Sequence, residues 1–274
     1  MQNWNSRQYL KFGAERTQPA VDLANRIELE HPVKIVDIGC GPGNSTEVLA
    51  RRFPGAEILG VDSSSQMIEA AKQNHPDLAF RLCDAGRDLP KLGRGTFDVV
   101  FSNACIQWIP NHPQLLRNMM ALLCPGGVLA VQTPMNAQEP IHRIIGEVVK
   151  SPRWASRFSN RRIFYNLTQS EYFDLLGDLS PDFTLWQTTY FHRMKSHDGI
   201  MEWYRGTGLR PYLEELDEEA RTVFQKEIYD RVVSAYPKQK SGEILFRFPR
   251  LFFLAHQKRD MRAHGTARGS GGLA

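Results

Sequence analysis

The sequence has little that would mark a membrane, secreted or metal-binding protein. No apolar run approaches the roughly 20 residues that span a bilayer; the longest are strand-sized. The opening stretch, MQNWNSRQYLKFG, carries no apolar signal-peptide core. Cysteine is sparse: Cys40, Cys83, Cys105 and Cys124 form no C-x-x-C pair, and each lies in or beside an apolar segment. That predicts reduced thiols rather than a disulfide framework or a zinc site. His192 has no second histidine or carboxylate at ligand spacing, so no metal is expected there. Charge of one sign is also lacking. The net charge is +4, but in the tail after Gln257 four cations, Lys258, Arg259, Arg262 and Arg268, face Asp260 alone. The body is therefore nearly neutral and lacks the basic stripe of a duplex-binding protein. These absences predict a soluble cytoplasmic protein with neither a nucleic-acid nor a membrane partner, and nothing in them sets an oligomeric state.

What is present is an alternation. The chain has 274 residues, 42% hydrophobic and 23% charged, an ordinary globular composition with enough length for a sizeable core. Five short, nearly continuous apolar segments recur: VKIVDIG (33–39), AEILGVD (56–62), LAFRLCD (78–84), FDVVFSN (97–103) and GGVLAVQTP (126–134). Such segments fit strands buried on both faces of a parallel sheet. Between them NSTEVLARRF, SSSQMIEAAKQN and PQLLRNMMALL carry apolar residues at helical spacing. The pattern predicts a doubly wound α/β fold. After Pro134 come a helical EPIHRIIGEVVK, a strand-like TLWQTTYFHRM (184–194), helical stretches over 195–243, and a last strand, EILFRFPRLFFLAHQ, whose Pro249 suggests an edge or a bulge. One domain over 1–258 is expected, with helices in 1–30 as a lid, a core over 31–135 and a helical insertion over 195–243. The Gly- and Ser-rich tail, 259–274, is expected to be disordered.

The first βα turn reads VDIGCGPGNSTEVL (36–49). It departs from the dinucleotide fingerprint G-x-G-x-x-G: the third glycine is one residue early, and Asn44 stands in its place. Pro42 also removes an N–H that a pyrophosphate loop would donate. Asp37, two residues before Gly39, suits an ammonium or a hydroxyl better than an anion. Asp62 ends the second strand, where a carboxylate can accept from ribose hydroxyls. Asp84 ends the third, within reach of an exocyclic amine, with the N–H of Ala85 beside it. Each feature alone is weak; their order, at the carboxyl ends of three successive strands, is specific.

D-I-G-C-G-P-G with Asp62 and Asp84 resembles the class I S-adenosylmethionine-dependent methyltransferases over about residues 30–135. W-N-x-x-x-Y-L-x-F-x-x-E-R at the start, SNACIQW (102–108), TGLRPYL (207–213) and FPRLF (248–252) extend the resemblance to the trans-aconitate methyltransferases, up to about Lys258. The resemblance implies a seven-stranded, mostly parallel, Rossmann-like sheet with a helical cap, and S-adenosylmethionine as cofactor. It implies a cofactor site of Asp37, Gly39, Gly41, Asp62, Ser63, Met67, Asp84, Ala85 and Asn103. Asn103, Gln107 and Trp108 would position the reacting groups.

The implied partner is a small polycarboxylate, which needs cationic or donor side chains. Tyr9, Arg16, Trp108, Tyr190, His192, Arg210 and Arg250 are the candidates, arginine because its planar fork meets a carboxylate with two parallel bonds. Methyl transfer to a carboxylate is an in-line displacement whose nucleophile is already ionised at neutral pH, so no general base is required. The alternatives are another small acid, a phenol or quinone, which would need a base, and a non-catalytic protein that only binds S-adenosylmethionine.

Overall fold

The structure, a computed structural model, describes residues 13–159 and 163–258, and of residues 13–16 the backbone alone. The predicted alternation is present. Strands β1 (Lys34–Ile38), β2 (Glu57–Asp62), β3 (Ala79–Leu82), β4 (Phe97–Asn103) and β5 (Leu123–Pro134) pair in parallel. With β6 (Phe183–Met194) and β7 (Ile244–His256) they form a seven-stranded sheet of order β3-β2-β1-β4-β5-β7-β6. β7 runs antiparallel to both β5 and β6. The strand order reverses between β1 and β4, and their carboxyl ends open the crevice where such sheets bind ligands.

The helices are α1 (Gly13–Asn25), α2 (Asn44–Arg52), α3 (Ser65–Asn74), α4 (His112–Ala121), α5 (Pro140–Lys150), α6 (Gln169–Leu179), α7 (His197–Arg205), α8 (Arg210–Glu214) and α9 (Glu218–Ala235). Alternation along each strand divides the core into two layers. Val36, Val100 and Leu129 pack with Leu116 of α4 and Leu176 of α6; Ile35, Val99 and Val128 pack with Leu23 of α1 and Leu49 of α2. Both faces of the sheet are thus covered, which explains the continuous apolar character of its strands. A third core joins α5, α7 and α9 to the paired ends of β6 and β7 through Ile145, Trp203, Ile228 and Phe246.

Helices α7, α8 and α9 fall between β6 and β7, where the sequence predicts an insertion. Two expectations change. Ala20, Leu23 and Ala24 of α1 are buried in the sheet core, so this part of the first 30 residues packs as core rather than standing off as a lid. Pro249 lies at neither an edge nor a bulge: β7 is interior, and its register with β6 runs unbroken from Phe183↔Ala255 to Met194↔Ile244. The pairing of β5 with β7 ends at Pro134↔Arg250, and Met135 N–H donates to the Pro249 carbonyl at 2.9 Å. In a strand, N and C=O of one residue point to the same side, so the missing N–H of Pro249 faces the end of β5 and costs β6 no bond. The predicted disorder of residues 259–274 lies outside the described residues. No helix among the described residues is long and apolar enough to cross a membrane.

The turn after β1 distinguishes two glycines. Both have positive φ, +76 at Gly39 and +54 at Gly41. A Cβ on Gly39 would stand 2.2 Å from Cys105 Sγ, whereas one on Gly41 would meet nothing within 4 Å. Gly41→Ala is therefore expected to cost only the left-handed strain of about 1–2 kcal/mol, and Gly39→Ala that strain plus about 1–3 kcal/mol of overpacking. Thermal unfolding of the two variants checks this, and equal losses would contradict the close approach of β1 to Cys105.

Candidate active site

A cavity of about 1070 Å³ lies over the carboxyl ends of β1, β2 and β4 and runs beneath α7 and α8. At the sheet end it is lined by Gly39, Gly41, Asp62, Ser63, Met67, Asp84, Ala85 and Asn103. The family resemblance implies all eight as part of one ligand site, and the fold brings them to one cavity. Gly41 opens onto this space, so a side chain there would fill it. Asp62 Oδ2 accepts the Gly41 N–H at 3.0 Å and Oδ1 the Ser64 N–H at 2.9 Å. Each oxygen keeps a second lone pair for a hydroxyl donor. Burial raises the Asp62 carboxyl above its ordinary range, while those backbone donors counter the rise. Asp84 Oδ1 accepts the Gly86 N–H at 2.9 Å, which sets its carboxylate at the rim. Met67 is half-buried and faces the cavity; its neighbours Ile68 and Ala71 supply the buried side of α3.

Asp37 is placed differently from the sequence reading. It is fully buried and does not line the cavity, lying behind the glycine loop. Its Oδ2 accepts Ser45 Oγ at 2.6 Å and Thr46 Oγ1 at 2.7 Å, while its Oδ1 has no partner. Burial pushes its carboxyl up to about 6. Asn103, at the end of β4, likewise keeps a buried, unpartnered Oδ1 at the cavity. An orphaned buried acceptor is costly unless something supplies a donor. The orphaned oxygen of Asn103 at the cavity, an open glycine turn and two rim carboxylates fit a ligand with an ammonium, a ribose and an amine-bearing ring, and S-adenosylmethionine has all three.

Gln107 and Trp108 lie on the helical turn Ile106–Trp108 that follows β4, and both line the cavity. The Gln107 side chain is buried; its Nε2 donates to the Ala104 carbonyl at 2.6 Å, bracing a residue with φ +54. Trp108 is 40% exposed and packs on Phe164, with ring centres 4.8 Å apart. Buried His112 bonds the Ile106 carbonyl through Nε2 at 2.9 Å and the Tyr172 hydroxyl through Nδ1 at 2.7 Å, tying this turn to α6.

The cavity lining also includes Arg210 and Arg250. Arg250 is 4% exposed; its Nη1 donates to Gln132 Oε1 at 3.1 Å, and its guanidinium lies 4.5 Å from the centre of the Phe248 ring. Arg210 is already engaged, with Nε 2.7 Å from Glu214 Oε1. Tyr190 and His192 do not line the cavity. The alternation of β6 turns both toward packed neighbours: the Tyr190 hydroxyl donates to Asp22 of α1, and His192 lies among Trp203, Phe246 and Phe248. Tyr9 lies outside the described residues, as does the side chain of Arg16. Sequence reasoning missed Asn136, His142, Phe164, Trp203, Tyr204 and Glu214, which also line the cavity. Their separation along the chain gives no local signal, except that Glu214 stands at i+4 from Arg210.

Asp37 yields a pH prediction. Because its carboxyl is raised from 3.8 to about 6 in the folded state, the folded protein holds a proton that the unfolded chain has lost between those values. Stability from this group is complete below pH 3.8 and falls as pH rises through about 6. Asp37→Asn keeps an acceptor for Ser45 and Thr46 without the charge. Its stability relative to the unsubstituted protein should rise by about 1 kcal/mol between pH 5 and pH 8. Denaturant unfolding at both pH values checks this; a pH-independent difference would contradict the raised carboxyl.

A methyltransferase-domain family model matches residues 36–131. The chain is 44% identical to a trans-aconitate 2-methyltransferase of Methylobacterium nodulans, over 94% of this chain and all of that one. It is 40% identical to one of Escherichia coli, over 94% and 99%. Among solved structures it is similar in fold to the YcgJ protein of Bacillus subtilis, with a TM-score of 0.57 at 15% identity, over 89% of this chain and all of that one. A phosphoethanolamine N-methyltransferase of Haemonchus contortus in complex with S-adenosyl-L-methionine gives a TM-score of 0.53 at 18% identity, over 88% of this chain and 53% of that one. The chain belongs to the trans-aconitate 2-methyltransferase family of S-adenosylmethionine-dependent enzymes.

Proposed function

We propose that the protein methylates one carboxylate of trans-aconitate, or of a closely related small polycarboxylic acid, to give a monomethyl ester. The observation that carries the acid is Arg250, a buried guanidinium on the wall of the cavity that also holds the glycine loop. Its planar fork can meet a substrate carboxylate with two parallel bonds. The names of the relatives support the same acid.

When bound, S-adenosylmethionine supplies an electrophilic methyl group on a sulfonium. In this reading Asp62 takes the ribose hydroxyls, Asp84 and Ala85 the adenine edge, and Met67 its face. Gly41 lets the backbone approach, with Gly39 and Ser63 on the same wall, and Asp37 braces the loop from behind. Asn103 offers its orphaned oxygen at the same wall. Gln107 holds the turn that presents Trp108, and Trp108 with Phe164 forms an apolar wall that keeps water from the acceptor oxygen. Arg250 and Arg210 grip carboxylates that do not react, so that one oxygen is aligned. No residue need remove a proton, because a carboxylate with an ordinary pKa of about 4 is ionised at neutral pH. A reaction that consumes S-adenosylmethionine runs where that cofactor is made, which supports the cytoplasm as its compartment.

The direct test incubates the protein with labelled cofactor and a panel of mono-, di- and tricarboxylates, with mass spectrometry of the products. Ester from the tricarboxylate and little from monocarboxylates is expected; methyl transfer only to phenols would overturn the reading. Single-turnover rates should be nearly flat between about pH 6.5 and 9, since the nucleophile does not titrate there. A steep rise near pH 7 would indicate a base and a different acceptor. Asp62→Ala should weaken S-adenosylmethionine binding by about 1.5–3 kcal/mol per lost charged hydrogen bond, read by calorimetry. Arg250→Gln should lower kcat/KM for the tricarboxylate by about 2–5 kcal/mol, the cost of breaking a buried charged contact, with cofactor affinity nearly unchanged.

A further inference from the structure

We propose that Glu214 is a positioning residue that fixes the orientation of Arg210 and thereby selects which carboxylate of the substrate is methylated. The proposal rests on the polycarboxylate reading above and deepens it. Arg210 and Glu214 open and close α8, and both side chains line the cavity. Glu214 Oε1 meets the Arg210 Nε at 2.7 Å.

Helix stability does not account for the pair. An arginine in the first turn with a glutamate four residues later is the less favourable order, because each charge then opposes the helix dipole. A partly exposed pair of this kind contributes little in any case; the side chains are 22% and 38% exposed. What the pair does accomplish is geometric. Guanidinium has five N–H donors in a rigid plane. Glu214 takes the Nε–H, and the η nitrogens of Arg210 bond no other described residue. One edge of the fork is thus occupied, and the Nη1–Nη2 edge is left for a carboxylate to meet with two parallel bonds.

The backbone beneath the pair is also fixed. Leu209 N–H donates to the Tyr204 carbonyl at 2.8 Å, and a Cβ on Gly208 would stand 2.6 Å from the Tyr204 ring. Tyr212, two residues on, is buried against Phe158. With both its base and its Nε edge held, the Arg210 fork accepts a carboxylate from one direction. A tricarboxylate gripped from one direction presents one of its remaining carboxylates at the sheet end of the cavity. Glu214 also adds a negative charge beside the site, so it restrains acid affinity while it enforces geometry.

Glu214→Gln and Glu214→Ala separate these effects. The amide oxygen of glutamine still accepts the Nε–H without the charge; alanine does neither. Trans-aconitate has three distinct carboxylates, so its monomethyl esters can be resolved by chromatography and NMR. Glu214→Ala should raise the proportion of minor esters about fivefold to tenfold, as expected for loss of a charge-assisted orienting bond. Glu214→Gln should keep the original ester ratio and lower the KM for the acid. Both should keep S-adenosylmethionine affinity, read by calorimetry, and cooperative thermal unfolding. An unchanged ester ratio in Glu214→Ala overturns the proposal, and so does a glutamine variant as unselective as the alanine one. If the unsubstituted protein forms no ester from any polycarboxylate, the functional reading itself falls and this inference with it; a selective unsubstituted enzyme with a selective alanine variant removes this inference alone.

Discussion

Two hydroxyl groups bonded to one buried carboxylate oxygen hold the active end of the sheet together. Ser45 and Thr46, in the first turn of α2, donate to Asp37 near the end of β1. Between these anchors the chain must turn through Gly39, Gly41 and Gly43, all at positive φ. The turn is short, so strand and helix cannot separate without breaking buried bonds. Asp62 ties the same loop to β2 through the Gly41 N–H, and Ser102 Oγ donates to the Ile38 carbonyl from β4. Three strands are thereby locked to one loop, and the sheet-end wall of the cavity follows from that constraint.

The opposite wall depends on how β6 and β7 are covered. Phe246 and Phe248 of β7 pack with Trp203 of α7, and Arg250 continues the strand into the cavity. Gln132 of β5 accepts from Arg250 and pairs in register with Asn103 of β4. A run of neighbouring strands therefore links the buried cation to Asn103 at the cavity wall. Arg250, Gln132 and Asn103 all sit on strands, where the backbone ladder limits their movement.

Much of the fold was legible because burial on both faces leaves an unmistakable trace. Each central strand is a short apolar run bounded by turns, and each predicted helix carries its apolar stripe. The glycines and rim carboxylates were legible because strand ends in a parallel sheet converge by topology alone. The cap was harder to read. Tyr190 and His192 look like substrate donors in sequence, yet the pleat of β6 turns them toward α1 and the cap core. Arg210 reads as a clamp; Glu214 stands at i+4 from it in the sequence, and the fold of α8 shows that the two side chains meet.

The sequence by itself determined the class of fold, the glycine turn after β1 and the carboxylates at the neighbouring strand ends, since local periodicity and strand topology suffice to place them. The tertiary structure alone decided that Asp37 lies behind the loop, that Pro249 sits in an interior strand, and that Arg250 is buried on the wall of a cavity that His142, Phe164 and Tyr204 also line. The physical reason is contact distance along the chain. A periodic pattern is written in neighbouring residues, whereas the cap side of the cavity is assembled from residues that come from β4, α5, α7, α8 and β7 and meet only when the sheet and cap close on each other.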